Sequence, residues 1–164
     1  MSPEPHWSGR RPDQGGNTGG GGGNGGGAAG PLLHVDGTLN PAQIKTLNTS
    51  PTQIVAGVPG SVVVPKMATF VYVFNTVAYT AGGHLCLATA EHVTDALLTL
   101  SGSGGSFGGM TDTQSGVMSG GDGSNDRLTS WSGLGLCIAC LDADFADGNG
   151  TLNYSVYYEI VATS

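Results

Sequence analysis

The stretch that decides the fold is SVVVPKMATFVYVFN, residues 61–75. Along it two sets of side chains alternate, Met67, Thr69, Val71 and Val73 against Ala68, Phe70, Tyr72 and Phe74. A period of two is typical of a β-strand, whose successive side chains point to opposite faces. Both sets are largely apolar, so the pattern predicts a strand buried in a sandwich or in an oligomer interface. Pro65 has no N–H to donate, and we expect a bulge or bend there.

Further apolar runs bounded by turn residues predict more strands on both sides of this one. They are TQIVAGV (52–58), AYTAGGHLCLAT (78–89, with a turn at Gly82–Gly83), ALLTLSG (96–102), LTSWSGLGLCIACLD (128–142) and TLNYSVYYEIVAT (151–163). Residues 101–125 are rich in Gly and Ser but contain Phe107 and Met110, which predicts a long exposed loop or hairpin. About seven or eight strands in a body of this size predict an all-β, jelly-roll-like β-sandwich.

One short helix is predicted before these strands. Asn40 can cap its N-terminus, Pro41 suits the first helical position, and Gln43 completes a capping box. Ile44 and Leu47 would then share the buried face.

The chain divides by composition into an arm, residues 1–30, and a body, residues 31–164. Residues 15–30, GGNTGGGGGNGGGAAG, predict a flexible tether in free solution. Residues 1–14 contain Trp7, Arg10 and Arg11, which suit a short peptide anchor for a partner protein. A disordered tail with an incidental tryptophan explains the same residues. If the arm is ordered, we expect a neighbouring protein to hold it.

Charge is scarce and mostly negative. Charged residues make up 10% of the 164, and five Lys and Arg face twelve Asp and Glu, for a net charge of −7. No basic cluster could neutralise a row of phosphates, which argues against nucleic-acid binding. No apolar run reaches membrane-spanning length, and MSPEPHWSGRR, residues 1–11, lacks the apolar region of a signal peptide. We therefore expect synthesis in the cytoplasm and no membrane partner.

Cys137 and Cys140, with Cys86 and His84, raise the possibility of a zinc or thiol site. Residues three apart on a strand point to opposite faces, so the two sulfurs of the pair would diverge. We therefore expect three buried free thiols and no metal or cofactor.

Acidic residues cluster in DADFADGNG, residues 142–150, where Asp142, Asp144, Asp147 and Asn149 suggest a calcium loop. The EF-hand spacing and its closing Glu are missing. An Asp-Gly or Asn-Gly turn before a strand accounts for the same residues. Cation binding here stays open.

Acid–base chemistry would have to use His84, Glu91, His92 and Asp95. No serine lies in a nucleophile elbow, and no H-E-x-x-H sequence is present. The sequence therefore predicts that the protein is not an enzyme.

Two segments resemble a module of tailed-bacteriophage virion proteins. They are LNPAQIKTLNTSPTQIVAGVPGSVVVPKMATFVYVFNTVAYTAGGHLCLAT, residues 39–89, and DGNGTLNYSVYYEIV, residues 147–161. The resemblance leaves the insert at 101–125 unmatched. Val58–Ser61 also departs from it, since the module more often has Ala-Pro-Gly and a further glycine there.

The resemblance implies a jelly-roll-type sandwich with a structural role and no active-site residues. We expect a capsid decoration, or cement, protein on the exterior of the virion, bound to the major capsid protein. A homotrimer is expected, with Phe70, Tyr72 or Tyr157 against its neighbours and with Trp7, Arg10 and Arg11 on the shell. The alternative is a head-fibre base or a tail-attached, host-binding module.

Overall fold

The computed structural model describes residues 31–91, 96–99, 109–119 and 129–163, so the predicted arm lies outside the described residues. Its strands and helices, in chain order, are β1 (Leu33–Leu39), α1 (Pro41–Ile44), β2 (Thr52–Val55), β3 (Ser61–Val73), β4 (Tyr79–Ala81), β5 (Leu85–Ala88), β6 (Leu98–Thr99), β7 (Gln114–Ser119), a 3-10 helix (Thr129–Trp131), β8 (Leu136–Cys140), β9 (Phe145–Asp147) and β10 (Thr151–Ala162).

The strands form two four-stranded sheets and one small two-stranded sheet. The first sheet has the order β1-β10-β3-β7, the second β2-β8-β5-β6, and β4 pairs with β9. All pairings are antiparallel. With the β4–β9 pair set aside, this is the strand order of a jelly roll, two Greek keys folded into a sandwich. The predicted all-β sandwich is confirmed.

The long strands β3 and β10 form the centre of the first sheet. Their register pairs Met67 with Tyr157 but Pro65 with Tyr158, so Lys66 is an extra residue on β3. One residue without a counterpart is a β-bulge, and it lies beside the proline, which cannot donate to the ladder. The predicted bulge at Pro65 is confirmed.

The core lies between the two sheets. The first sheet contributes Phe70 and Tyr72 from β3 and Val156 from β10, and all three are buried. Tyr79 packs its ring against Tyr72 and Phe145 and donates its hydroxyl to the carbonyl of Gly150 at 2.9 Å. Burial, with a smaller contribution from Tyr72, raises the pKa of Tyr79 to about 12, so its ring stays neutral. The second sheet contributes Leu85, Leu87, Leu136 and Ile138.

The predicted helix is present and is a single turn. The Asn40 side chain accepts from the Gln43 N–H, and the Gln43 side chain accepts from the Asn40 N–H, both at 3.0 Å. Ile44 and the following Leu47 are fully buried, as the spacing predicted. No helix within the described residues is both long and apolar enough to cross a lipid bilayer.

Three predicted strands were longer than the observed ones, and the predicted loop or hairpin at 101–125 contains a strand. The run at 52–58 is a strand only over Thr52–Val55. The run at 128–142 is a strand only over Leu136–Cys140, because a 3-10 helix and Gly133, with φ of 80°, precede it. In the described part of the run at 96–102, residues 96–99, the strand covers Leu98–Thr99. Within the expected loop or hairpin, β7 pairs with β3 and buries Met118 opposite Ala68. Because that region is rich in Gly and Ser, the alternation of exposed and buried side chains along β7 is not evident from the sequence.

Candidate interaction surface

The three cysteines do not form a metal or redox site in the structure. All are free and buried, Cys86 on β5 and the other two on β8. Burial raises the pKa of Cys86 to about 12, and burial also raises that of Cys140 to about 11 although the Gly83 N–H opposes the shift. Protonated thiols are poor nucleophiles and poor metal ligands. The expectation of buried free thiols is confirmed.

Of the residues considered for acid–base chemistry, His84 and Glu91 are described by the structure. The exposed His84 ring lies 3.6 Å from the carboxylate of Asp142, and Glu91 is exposed. His92 and Asp95 lie outside the described residues. In the described ranges, no group of three or more His, Cys, Asp or Glu side chains is arranged to hold a metal ion.

The acidic segment at 142–150 holds loops together. Asp144 accepts hydrogen bonds from the N–H of Asn48 (2.7 Å), the N–H of Thr49 (3.1 Å) and the Thr49 hydroxyl (2.8 Å). Asn149 Oδ1 accepts from the N–H groups of Thr76 and Val77, each at 3.0 Å. Desolvation raises the pKa of Asp144, but the bonds from Thr49 and Asn48 outweigh it and lower that pKa. These oxygens are therefore occupied by the loop that leads from α1 to β2 and by the loop before β4.

The outer face of the first sheet is a surface made by four strands. The register places its side chains in rows that run across all four strands. We define the outer face by His34, Asp36 and Thr38 of β1, Thr151, Asn153, Ser155 and Tyr157 of β10, Met67, Thr69, Val71 and Val73 of β3, and Ser115 and Val117 of β7. The alternate residues of the same strands form the inner face and point into the core.

Exposed apolar side chains are concentrated on this face. Within the described ranges, the exposed large hydrophobic residues are Leu32 (58%), Met67 (40%), Val73 (36%), Val77 (49%) and Val117 (62%). Three of them, Met67, Val73 and Val117, belong to the outer face. Single exposed apolar residues are ordinary, but several on one flat face indicate a contact surface.

Cross-strand contacts order the other half of the outer face. Thr38 donates its hydroxyl to Asn153 Oδ1 at 2.7 Å, and His34 Nε2 lies 2.8 Å from the hydroxyl of Ser155. The His34 ring also packs on Tyr157, with 4.7 Å between ring centroids. These side chains are therefore held in place by contacts within the chain.

The predicted interface residues divide between the two faces. Phe70 is 1% exposed and Tyr72 fully buried, so both fill the core of this chain and neither ring can reach a neighbour. That part of the prediction is corrected: bulky aromatic rings fill the space between the sheets, and the smaller side chains of β3 face outward. Tyr157 is half-buried on the outer face and stays a predicted interface residue. Trp7, Arg10 and Arg11 lie outside the described residues.

The sequence contained signals for the correct face. Thr69 belongs to the outer set of β3, and its partners on β10 alternate Asn153 and Ser155 with the buried Leu152 and Val156. Polar residues at every second position of β10 mark the face that meets water. Reading the two strands together would have placed Met67 outside and Phe70 inside.

Comparison with known proteins adds one similar structure. No family model matches the sequence, and no curated protein matches it. A solved structure described as "Cyanophage Pam1 capsid asymmetric unit" is similar over 87% of this chain and 94% of that chain, with 14% identity and a TM-score of 0.45. The strand order, and not this likeness, establishes the jelly-roll fold of the chain.

Proposed function

We propose that the protein is a structural component of a tailed-phage virion that binds and stabilises the head shell from outside as a decoration protein. The major capsid protein would be its partner, and it would act as a homotrimer without catalysis. Residues 1–30 would contact neighbouring subunits through Trp7, Arg10 and Arg11.

The observation that carries this proposal is where the two phage-like segments lie in the fold. Residues 39–89 include α1 and the strands β2 to β5, and residues 147–161 include most of β10. Together they supply the central β3–β10 pair of the first sheet and two strands of the second. The resemblance therefore follows the framework of the jelly roll, a fold that recurs in viral capsid proteins. Because one fold hosts many functions, the fold alone does not assign a role, and further support has to come from the chemistry of the surface.

The surface chemistry supports a binding role over an enzymatic one. The described cysteines are buried, the acidic loop residues are engaged in hydrogen bonds, and the outer face offers apolar and hydroxyl side chains on a rigid sheet. Many such contacts, each modest, would hold a symmetric shell together through avidity.

The experiment that tests this proposal measures binding to empty head shells of the cognate phage. The full chain, the double variant Arg10→Ala/Arg11→Ala and the variant Trp7→Ala would be added to shells, which are then heated. We expect the full chain to co-sediment with shells and to raise their disruption temperature, and the arm variants to bind more weakly. Lys45→Ala, which removes a basic residue of the body, is the matched control.

Failure of the full chain to bind shells would contradict the proposal. Binding to host cells in place of shells would support a tail-attached or head-fibre module instead. If the arm variants bind as well as the full chain while the shell is still stabilised, decoration stands and the role given to Trp7, Arg10 and Arg11 falls.

A further inference from the structure

We propose that the outer face of the first sheet binds the same face of a second copy of this chain. The proposal goes beyond the proposed function, because a contact between identical faces is two-fold and differs from the threefold contacts of a homotrimer. It concerns the protein alone in solution. Failure of shell binding would leave it standing, and its own failure would leave shell binding possible.

The first argument is the composition of the face. Met67, Val73 and Val117 expose apolar surface there, beside the half-buried Tyr157. Tyr157 of β10 lies directly opposite Met67, and Thr69 of β3 lies opposite both Ser155 and Val117. Val73 lies farther along β3, opposite Thr151. Two sheet faces can stack about 10 Å apart, as the layers of a sandwich do.

The second argument is charge. The chain carries a net charge of −7, so two copies repel each other over most approaches. Among the residues that define the outer face, Asp36 is the carboxylate, and the His34 ring lies 3.8 Å from it. Glu159, two residues beyond Tyr157 on β10, is paired with Lys66 at 3.0 Å, so this pair adds no net charge to the face. Exposed carboxylates of the body, including Glu91, Asp112 and Asp142, lie in loops outside the face. Two copies therefore meet with least repulsion through this face.

The same charges argue against other occupants. A basic partner would be drawn to the acidic loops, and a polyanion would find at this face only Lys66, which is already paired with Glu159. The glycine-rich part of this chain's own arm, residues 15–30, has almost no side chains with which to cover Met67 and Val117. A second copy brings a matching apolar patch.

The area of the outer face determines how strongly two copies are expected to associate. Four strands about 4.8 Å apart and seven residues long cover roughly 20 Å by 23 Å, so a pair of faces buries on the order of 900 Å² in total. That is at the low end of specific protein interfaces, which predicts weak, concentration-dependent association. Side chains already held by cross-strand contacts, such as Thr38 with Asn153, lose little freedom on binding.

The test is sedimentation of the full chain over a series from low micromolar to near-millimolar protein. Wild type should increase in mass with concentration, and Val117→Asp should weaken the association at least about tenfold, because it places a carboxylate in an apolar contact. Val77→Asp is the matched control, since Val77 is 49% exposed and lies outside the outer face. Circular dichroism would check that each variant is folded.

If Val117→Asp does not fold, Met67→Gln provides the same test with a side chain of similar volume. A wild type that stays monomeric throughout, or equal effects of Val117→Asp and Val77→Asp, would overturn the proposal. Loss of association in Trp7→Ala would overturn it as well, because the arm would then be the occupant of the face. Association that both face variants weaken, and that Val77→Asp and Trp7→Ala leave unchanged, supports the proposal.

Discussion

The two faces of the first sheet are made by the same strands and differ in what their apolar residues do. On β3 the inner face presents Phe70 and Tyr72, which are buried, and the outer face presents Met67 and Val73, which are partly exposed. Hydrophobicity alone does not separate the two sets. The aromatic rings distinguish them, because the space between two sheets must be filled at close-packed density and aromatic rings fill it well. An apolar strand therefore has a structural side and a side that is available for contact.

The largest expected effect is on the inner face. Phe70→Ala should lower the free energy of unfolding by about 3–5 kcal/mol, because it leaves a cavity between the sheets. Val71→Ala, one residue along on the outer face, should cost less than about 1 kcal/mol. Urea unfolding at a concentration where the protein is monomeric measures both. Equal losses would show that the two faces are not distinguished by packing.

A smaller loss is expected from the inner-face glycine of β1. Gly37 lies opposite Tyr154, and a Cβ added to it would stand 2.5 Å from the tyrosine hydroxyl oxygen and 2.7 Å from Cζ. Gly37→Ala should therefore cost about 1–3 kcal/mol through overpacking. Thermal unfolding would measure the loss. The double variant with Tyr154→Leu should lose less than the sum of the two single variants, whereas simple additivity would argue against this contact.

A polar contact outside both faces, at Asp144, is expected to contribute to the free energy of unfolding in a pH-dependent way. Asp144→Ala removes the acceptor of three hydrogen bonds from Asn48 and Thr49 and should cost about 1–2 kcal/mol near pH 7. Because the folded-state pKa of Asp144 is lowered below 3.8, its ionised form stabilises the fold above the unfolded pKa. That stabilisation is lost as the pH falls through the folded pKa.

This pH dependence is tested by measuring the free energy of unfolding from pH 7 down to the lowest pH at which the protein is still folded. The difference between wild type and Asp144→Ala should shrink only below about pH 4, as linkage requires for a lowered carboxyl pKa. Asp112→Ala, which removes an exposed carboxylate, is the control. If the difference in free energy of unfolding between wild type and Asp144→Ala stays constant through the acid range, the charge of Asp144 does not contribute to stability.

The smallest effect is expected on the outer face itself. Asn153→Ala removes the acceptor of the Thr38 hydroxyl and should cost about 0.2–1 kcal/mol, as cross-strand pairs do. Ser115→Ala, at an exposed position of β7, is the control. Chemical denaturation resolves a change of this size only with a global fit. A loss as large as that of Phe70→Ala would mean that the outer face, too, is structural.

Local sequence signals predicted much of this fold. The capping box of Asn40 and Gln43 and the bulge beside Pro65 follow from chemistry within a few residues, and both are present. The side of β3 that faces the core does not follow from β3 alone, because both sets of its side chains are apolar. Polar partners on β10, such as Asn153, lie more than 80 residues away and settle the question only once the pairing is known. The Gly- and Ser-rich β7 is a strand because β3 offers it an edge.

The position of β10 in the first sheet has a consequence for biosynthesis. This strand lies between β1 and β3, and His34 meets Ser155 across 121 residues of chain. A ribosome makes β1 and β3 long before the strand that must join them, so neither can complete its ladder until β10 has emerged. Such non-local pairing slows folding, and the apolar faces of β3 stay uncovered until then. The sandwich is therefore expected to fold only after β10 has been made, and the unfinished chain is exposed to aggregation and to chaperones in the interval.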